Sequence, residues 1–388
     1  MKIGIVLPNP PSYSETFFNA KIDALKGSGA EIILFAKKNA DYNKTRVIAP
    51  LDHNAFGILR FLILILGNFS KLYSFYKLEL ATRKSKKRAF KNMFLNAHIL
   101  KEQLDFLHFG YATGAIHREN VALSIKAKMS VSFRGYDINV YPLQDQTCYN
   151  LLWQRVYKVH SVSKYLLKQA YKLGLPTTIP VQLIPDAVSE QHVFSAAEIT
   201  HHLKNNTSNV FKIVTIARLN WIKGVQYAIQ AMAEFKSITD KFTYHIIGGG
   251  TKQELEYMRF LIQNLGLEYH VVLEGELSHA DTLRILKKAD MYVQPSIGEG
   301  FCTSVVEAQA MGKLCVVTDA GGLPENIVHN QTGLVVPKMN VKLMTQAIAD
   351  CYHKTDEENL TMAINAAKRV SNHFTTEQQL EQFIKFYS

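Results

Sequence analysis

Pro295-Ser-Ile-Gly-Glu-Gly-Phe-Cys-Thr-Ser-Val-Val-Glu-Ala-Gln-Ala-Met-Gly312 is the stretch on which the reading of this chain turns. It follows a short apolar strand, Met291 to Val293, so its Gly-flanked loop falls at a strand's carboxyl end, where open α/β sheets bind ligands. Glu299 lies in the loop, and Glu307 lies beyond seven intervening residues in the helix that should follow. Thr303 and Ser304 open that helix, and the unpaired amides of a helix start form an anion site. A carboxylate, a run of backbone donors and a second carboxylate suit, in succession, the sugar, diphosphate and ribose of a sugar nucleotide. A second reading stays open. Ser304-x-x-Glu307 is also a capping box, in which the Glu satisfies a backbone donor at the helix start, and Gly298 and Gly300 suit simple turns.

With 388 residues the chain has room for roughly two to three domains, each with a core. A hydrophobic share of 47% and 20% charged residues describe a water-soluble globular protein rather than a disordered or membrane-embedded one. The cysteines Cys148, Cys302, Cys315 and Cys351 form no C-x-x-C pair and no zinc-ligand spacing, which fits a reducing, cytoplasmic setting. Lys2-Ile-Gly-Ile-Val-Leu7 reads as a strand at the amino terminus and leaves no room for a signal peptide. His192, His201 and His202 sit in a polar stretch without supporting ligand spacing, so no metal is expected.

Residues 56–92 have a different character. Phe61-Leu-Ile-Leu-Ile-Leu66 is too short to span a bilayer, which takes about 20 apolar residues. Lys71, Lys77, Arg83, Lys84, Lys86, Lys87, Arg88 and Lys91 follow, interleaved with Leu72, Tyr73, Phe75, Tyr76 and Phe90. Such a segment suits an anionic membrane surface, with peripheral attachment, and equally suits a core helix followed by a solvated one. The net charge of +11 comes with no zinc-finger, RRM or helix-turn-helix pattern, so nucleic acid is not an expected partner.

Strand and helix signals alternate along the chain, the pattern of α/β domains with parallel sheets. Strands are expected at Lys2 to Leu7, Glu31 to Phe35, Asp105 to His108, Met129 to Phe133, Lys158 to Val162 and Val181 to Ile184. They resume at Phe211 to Ile216, Tyr244 to Ile247, His270 to Leu273, Met291 to Val293, Leu314 to Val317 and Leu334 to Val336. Ser12-x-x-Glu15, Ser163 and Ser278-x-x-Asp281 mark helix starts. The polar stretch 189–209 reads as a linker between doubly wound domains at 1–188 and 210–370, with a C-terminal helix in 371–388 that packs back on the first domain.

Two Rossmann-like halves facing a cleft, with Glu299-x7-Glu307 in the second, resemble the GT-B glycosyltransferases of family GT4 over nearly the whole chain. Pro8-Asn-Pro-Pro-Ser-Tyr-Ser-Glu-Thr-Phe17 is similar to the P-x-x-S-E-T-F opening of a subgroup that builds bacterial exopolysaccharides. His108-Phe-Gly and Phe133-Arg-Gly-Tyr-Asp137 are similar to that subgroup's H-F-G and H/R-G-Y-D segments. Leu183-Ile-Pro-Asp186, Ala217-Arg-Leu219 with Lys223-Gly224, Gly321-Gly-Leu-Pro-Glu325 and Gln331-Thr-Gly-Leu-Val335 resemble further family segments in the right order and spacing.

The resemblance implies roles residue by residue. Arg218 and Lys223 would neutralise the diphosphate, Glu299 would face the donor sugar, and Glu307 would hold the ribose hydroxyls. Gly300, Phe301 and the amides of Cys302, Thr303 and Ser304 would line the donor, with Gly248 and Gly322 beside them. Pro11, Ser12 and Asp137 would complete the site from the first domain, where His108 and Arg134 are candidate catalytic or acceptor groups; His108, at a strand's end, suits a satisfied structural histidine equally well. Two departures stand out: Pro10-Pro11 replaces a family Gly pair, and Arg134 stands where many relatives have His, although Arg cannot act as a base at neutral pH. Arg134 paired with Asp137 is the structural alternative.

The implied activity is a retaining, metal-independent transfer of a hexose or N-acetylhexosamine from a nucleoside-diphosphate sugar, UDP before GDP, to a glycan or lipid-linked acceptor in bacterial surface polysaccharide synthesis. No cofactor is implied. A nucleotide-sugar 2-epimerase and a non-catalytic nucleotide-sugar binder are the alternatives. Arg218, Lys223, Glu299 and Glu307 occurring together weigh against both.

Overall fold

Short apolar strands separated by helices pair side by side in parallel, because a helical crossover returns each strand to the same end of the sheet. The structure, a computed structural model, describes residues 1–11, 16–39, 41–204 and 209–388. The Ser12-x-x-Glu15 cap and most of the Pro8–Phe17 motif's polar centre lie outside the described residues.

The first sheet holds β1 (Lys2–Val6), β2 (Glu31–Phe35), β3 (Arg46–Ile48), β4 (Phe106–Phe109), β5 (Lys128–Phe133), β6 (Lys158–Ser161) and β7 (Val181–Leu183). Their order is β3-β2-β1-β4-β5-β6-β7, all parallel, with Ile5 opposite Leu34 on one side and His108 on the other. The second sheet holds β8 (Phe211–Ile216), β9 (Phe242–Ile247), β10 (Val271–Gly275), β11 (Met291–Gln294), β12 (Leu314–Thr318) and β13 (Leu334–Val336), in the order β10-β9-β8-β11-β12-β13. Both are doubly wound, and the direction of winding reverses between β1 and β4 and between β8 and β11. Those reversals are where ligands bind in such sheets. β3 was not expected: three residues, none fully buried, carry too little apolar alternation to stand out.

The chain divides into two compact units, residues 1–184 with 380–388, and residues 185–379. The stretch read as a linker holds a 3₁₀ turn at Glu190–His192 and a helix at Ala196–Lys204. Ile199 of that helix is 2% exposed and packs on Ala363 and Ala367 of the second unit. Ile199, with Phe194 and Leu203 packed beside it, thus fixes a segment whose composition is mostly polar. The helix Thr376–Tyr387 ends the chain, and its Phe383, Phe386 and Tyr387 join the core of the first unit with Ile3, Ile5, Phe18 and Ile22.

Under that terminal helix lies a buried polar chain. Lys21 Nζ is 3.1 Å from His108 Nε2 and 4.3 Å from the centre of the Phe383 ring. His108 Nδ1 lies 2.9 Å from the Tyr387 hydroxyl and 3.0 Å from Ser130 Oγ, and its Nε2 is 2.7 Å from Ser132 Oγ. His160 continues the chain, 2.7 Å from Ser132 Oγ and 2.8 Å from the Ile184 carbonyl. Burial, reinforced by neighbouring cations, pushes both histidines and Lys21 well below their ordinary values, a shift toward the neutral form of each.

α1 (Thr16–Gly27) links β1 to β2, and the 56–92 region holds α2 (Ala55–Gly67), α3 (Phe69–Arg83) and the start of α4 (Lys86–Leu100). α2 is anchored by Phe61, whose ring meets Phe90 and Phe94 of α4 at 5.7 and 5.1 Å, and by Gly57, where a Cβ would strike the Asp52 carbonyl. The rest of α2 is uncovered: Phe56, Ile58, Leu59, Leu62, Ile63 and Leu66 are all more than half exposed. Among the described residues no single helix is long and apolar enough to cross a membrane; α2 and α3 meet that length and hydropathy only as a pair bent by 103°.

Because Phe386 is 1% exposed in the first unit's core, Phe386→Ala should destabilise that unit by about 3–5 kcal/mol. Urea unfolding of the full chain followed by circular dichroism reads this as a lowered midpoint, and a loss below about 1 kcal/mol would show that the terminal helix contributes little.

Candidate functional site

The residues singled out around Pro295–Gly312 come together at the winding reversal of the second sheet. Arg218 follows β8 and Glu299 follows its neighbour β11. Gly224, at φ 60°, lets two loops touch: a Cβ there would lie 2.2 Å from the Pro295 carbonyl oxygen. The Ile297 and Gly298 amides donate to the Ile222 carbonyl at 2.8 and 3.3 Å, sealing the contact. Gly248, at φ 144°, plays the same part after β9, where a Cβ would meet the Ala217 carbonyl oxygen at 2.0 Å. The Gly322 amide donates to the Glu299 carbonyl at 2.9 Å and draws the Gly321–Glu325 turn onto the same loop.

Glu299 is 7% exposed and accepts from Lys223 Nζ at 2.6 Å and from Ser296 Oγ at 2.8 Å. Burial draws the Lys223 pKa down, but the charge and hydrogen bond of Glu299 outweigh it and leave the ammonium raised, even against the nearby charge of Arg218. Arg218 itself is exposed. The site therefore joins two cations and one carboxylate in a partly dry setting.

Helix Thr303–Ala310 starts from Cys302, and no side chain caps it. The capping-box reading of Ser304-x-x-Glu307 is thereby overturned. Ser304 lies inside the helix, with its hydroxyl 2.8 Å from the Tyr292 hydroxyl and donating to the Ile216 carbonyl at 3.3 Å. Glu307 turns away from the helix start, and its Oε1 is 2.8 Å from His279 Nε2. The amides of Thr303 and Ser304 belong to the first turn, which has no intrahelical acceptor for them. The Cys302 amide is different: it donates to Asn326 Oδ1 at 3.3 Å, so it is not available as a phosphate donor. Burial pushes the Cys302 thiol up to about 11. Phe301 packs against Phe374 at 5.7 Å, and Gly300 is buried beside it.

In the first unit the candidates separate. His108 is wholly buried under the terminal helix with the partners given above, so it acts in the core and does not present its ring to a ligand. Asp137 is also buried, and its carboxylate accepts from the amides of Ala112, Arg134 and Gly135 at 3.0, 3.0 and 2.8 Å. Burial raises its pKa and those amides oppose the rise. Asp137 thus shapes the loop after β5. The Arg134 guanidinium lies over Phe17, 4.0 Å from the ring centre, and over Phe18 at 4.9 Å. Pro11 is buried, and Ser12 lies outside the described residues.

A cavity of about 600 Å³ in the first unit was not foreseen. It is lined from the α3–α4 turn by Arg83 and Arg88, and from the segments after β4 and β5 by His117, Tyr141, Gln144 and Asn150. Its residues come from three segments far apart in sequence, and none forms a motif. Among the described residues no cluster of three or more His, Cys, Asp or Glu could hold a metal ion.

Residues 198–370 match the family described as Glycosyl transferases group 1, a span that includes Arg218, Lys223, Glu299 and Glu307. They form a glycosyl transferases group 1 domain. Beyond the matched span the chain is similar to known proteins along nearly its whole length. The putative colanic acid biosynthesis glycosyltransferase WcaL of Escherichia coli is 24% identical, with 98% of each chain covered. The Campylobacter jejuni N,N'-diacetylbacillosaminyl-diphospho-undecaprenol alpha-1,3-N-acetylgalactosaminyltransferase is 31% identical over 40% of this chain and 39% of its own. Among solved structures, HepE of Anabaena, crystallised with UDP and glucose, superposes with a TM-score of 0.73 at 18% identity, covering 99% of this chain and 98% of its own. That likeness concerns the fold, which is GT-B: two parallel-sheet, Rossmann-like units, the second of them the group 1 domain.

The Lys223–Glu299 pair should show strong coupling. Lys223→Met leaves a nearly buried carboxylate without its cation and should lower stability by about 3–5 kcal/mol. Glu299→Gln added to it should recover much of that loss in a double-mutant thermal-melt cycle, whereas additive losses would mean the two charges do not sense each other.

Proposed function

We propose that the protein is a retaining glycosyltransferase that moves a hexose or N-acetylhexosamine from a UDP-sugar to a glycan or lipid-linked acceptor of a bacterial surface polysaccharide. The observation that carries this reading is the contact of Lys223 with Glu299 at the winding reversal, with Arg218 and a helix start beside it. Transfer from a nucleoside diphosphate builds negative charge on the leaving phosphate and positive charge on the sugar. Arg218, Lys223 and the amides of Thr303 and Ser304 offer fixed positive groups to the phosphate, and such groups act most strongly where charge develops. Glu299 is held by Lys223 and Ser296 at the boundary between cation and carboxylate, where it would accept from sugar hydroxyls and face the electron-poor ring carbon. Glu307 would take the ribose hydroxyls. Charge neutralisation by these groups makes the transfer metal-independent and free of a cofactor.

The second unit would thus bind the donor and the first the acceptor, with the 600 Å³ cavity of the first unit as its polar sugar site. Its volume falls in the range of ~300–1,000 Å³ typical of ligand pockets. Arg134, flat against Phe17, would meet an anionic group of the acceptor rather than act as a base. The names of WcaL and the Campylobacter enzyme support a surface-glycan role and a lipid-diphosphate acceptor respectively; the UDP bound to HepE supports the choice of nucleotide.

We also propose that α2 lies on an anionic membrane at the cytoplasmic side. Within α2 Arg60 is 5.4 Å from the Phe56 ring; on α3 Lys77 is 4.6 Å from the Tyr73 ring, and Lys84 between α3 and α4 and Lys86, Lys87, Arg88 and Lys91 of α4 are exposed. An apolar face bounded by lysines and arginines matches the hydrocarbon and headgroup layers of an anionic leaflet.

Glu299→Ala should abolish sugar transfer while leaving UDP affinity within about threefold, whereas Glu307→Ala should weaken UDP by roughly tenfold or more, as expected for hydrogen bonds to a charged group. Calorimetry with UDP and GDP, alongside nucleotide release from a panel of sugar nucleotides, reads both. Equal loss of affinity in the two variants contradicts the assigned roles. In vesicle sedimentation, reversing Lys84, Lys86, Lys87 and Arg88 to Glu should cut binding to anionic vesicles by at least ~10-fold, since each basic residue near such a surface contributes about 1 kcal/mol. Unchanged sedimentation would mean the segment is merely solvated.

A further inference from the structure

Glu307 is not alone in its helix turn. His279 is the first residue of the helix His279–Lys288, whose start is fixed by Ser278: its hydroxyl accepts from the Asp281 amide at 3.1 Å and donates to Asp281 Oδ2 at 2.8 Å. That cap sets the imidazole against the helix Thr303–Ala310, with Nε2 2.8 Å from Glu307 Oε1. His192, at the end of the Glu190–His192 turn, stands behind it with ring centres 6.3 Å apart. Two helices thus meet at one carboxylate oxygen, and a third segment of the second unit backs the imidazole.

We infer that His279 is a positioning residue for ribose recognition: it holds one oxygen of Glu307 so that the other is aimed at the ribose hydroxyls. The inference rests on the assignment of Glu307 to ribose made above. A glutamate on a helix surface has several rotamers, and only some present an oxygen to a vicinal diol. A charge-assisted bond at 2.8 Å selects among them before the nucleotide arrives, which removes an ordering cost from binding. Glu307 is 13% exposed and His279 42%, so the pair is shielded on the carboxylate side and open on the imidazole side.

Electrostatics points the same way. The hydrogen bond and charge of Glu307 raise the His279 pKa above its ordinary value despite partial burial. Burial and the neighbouring His279 lower His192, with Glu307 opposing, so the two shifts favour a proton on His279 over one on His192. On the helix of His279 the charge nearest in sequence is Asp281, which is held by Ser278 and by Arg284 at 2.9 Å; Lys287 and Lys288 lie in its last turn. As pH rises through the His279 titration the imidazolium is lost, and with it the charge-assisted part of the bond. Ribose selectivity should fall across that same interval.

The test compares the full chain's affinity for UDP and 2′-deoxy-UDP, and for GDP and 2′-deoxy-GDP, by calorimetry between pH 5.5 and 8.5, as a ratio that cancels the ionisation of the phosphates. The wild type should prefer the ribonucleotide by roughly tenfold or more at the acid end, declining above the ordinary imidazole pKa. His279→Ala should lose most of that preference at every pH. His279→Gln, which keeps an N–H donor, should restore a preference that no longer depends on pH. A folded His279→Ala that keeps the full ratio, while Glu307→Ala loses it, overturns the positioning role. If Glu307→Ala keeps the ratio, or the wild type has none, the assignment of Glu307 to ribose fails and this inference fails with it. If His279→Ala does not fold, the Gln variant decides: a pH dependence identical to wild type overturns the proposal.

Discussion

Parallel strands impose the constraint from which the site follows. Each strand of the second sheet must hand its chain to a crossover at the same end, so the segments after β8, β9, β11 and β12 gather along one edge. The backbone then has to pass very close to itself. Gly224 against the Pro295 carbonyl and Gly248 against the Ala217 carbonyl are the places where no side chain fits. These contacts bring Lys223 to Glu299 across 76 residues of sequence. A larger residue at either glycine would push the loops apart and separate the charges, without touching any group that meets substrate.

The electrostatic consequence is a site with cations and carboxylates held in fixed relation. Lys223 stays charged although mostly buried because Glu299 offsets its desolvation. Arg218 remains exposed and adds a planar, multi-donor cation beside it. From a separate helix, His279 does for Glu307 what Lys223 and Ser296 do for Glu299. Each acidic side chain has a partner that fixes its orientation, and each partner comes from a different crossover. The first unit carries a different chemistry: an uncovered apolar helix with cations beside it, and a polar cavity lined from the α3–α4 turn and the segments after β4 and β5.

Much of the fold could be read from sequence because buried parallel strands are short runs of apolar residues. β2, β8 and β13 fall where Glu31 to Phe35, Phe211 to Ile216 and Leu334 to Val336 were expected. β3 escaped because its three residues are half exposed and owe their pairing to β2 rather than to their own pattern. The helix within 189–209 escaped because its few apolar contacts, Phe194, Ile199 and Leu203, are spread through a polar run. In the site, Glu299 and Lys223 were legible as a motif, but their ion pair was not, since nothing in sequence states which loops touch. Ser304-x-x-Glu307 satisfies the capping pattern and yet does not cap, because Cys302 begins the helix and His279 claims the glutamate. His108, at a strand's end, suited an acceptor-binding and a structural role equally; the structural one holds, because the terminal helix covers it with Tyr387, a contact between residues 279 apart.

A crystal structure of the protein soaked with UDP tests the central claim most directly. The account predicts the diphosphate against Arg218, Lys223 and the amides of Thr303 and Ser304, with the ribose hydroxyls on the free oxygen of Glu307. UDP bound elsewhere on the chain, or ribose out of reach of Glu307, would contradict it.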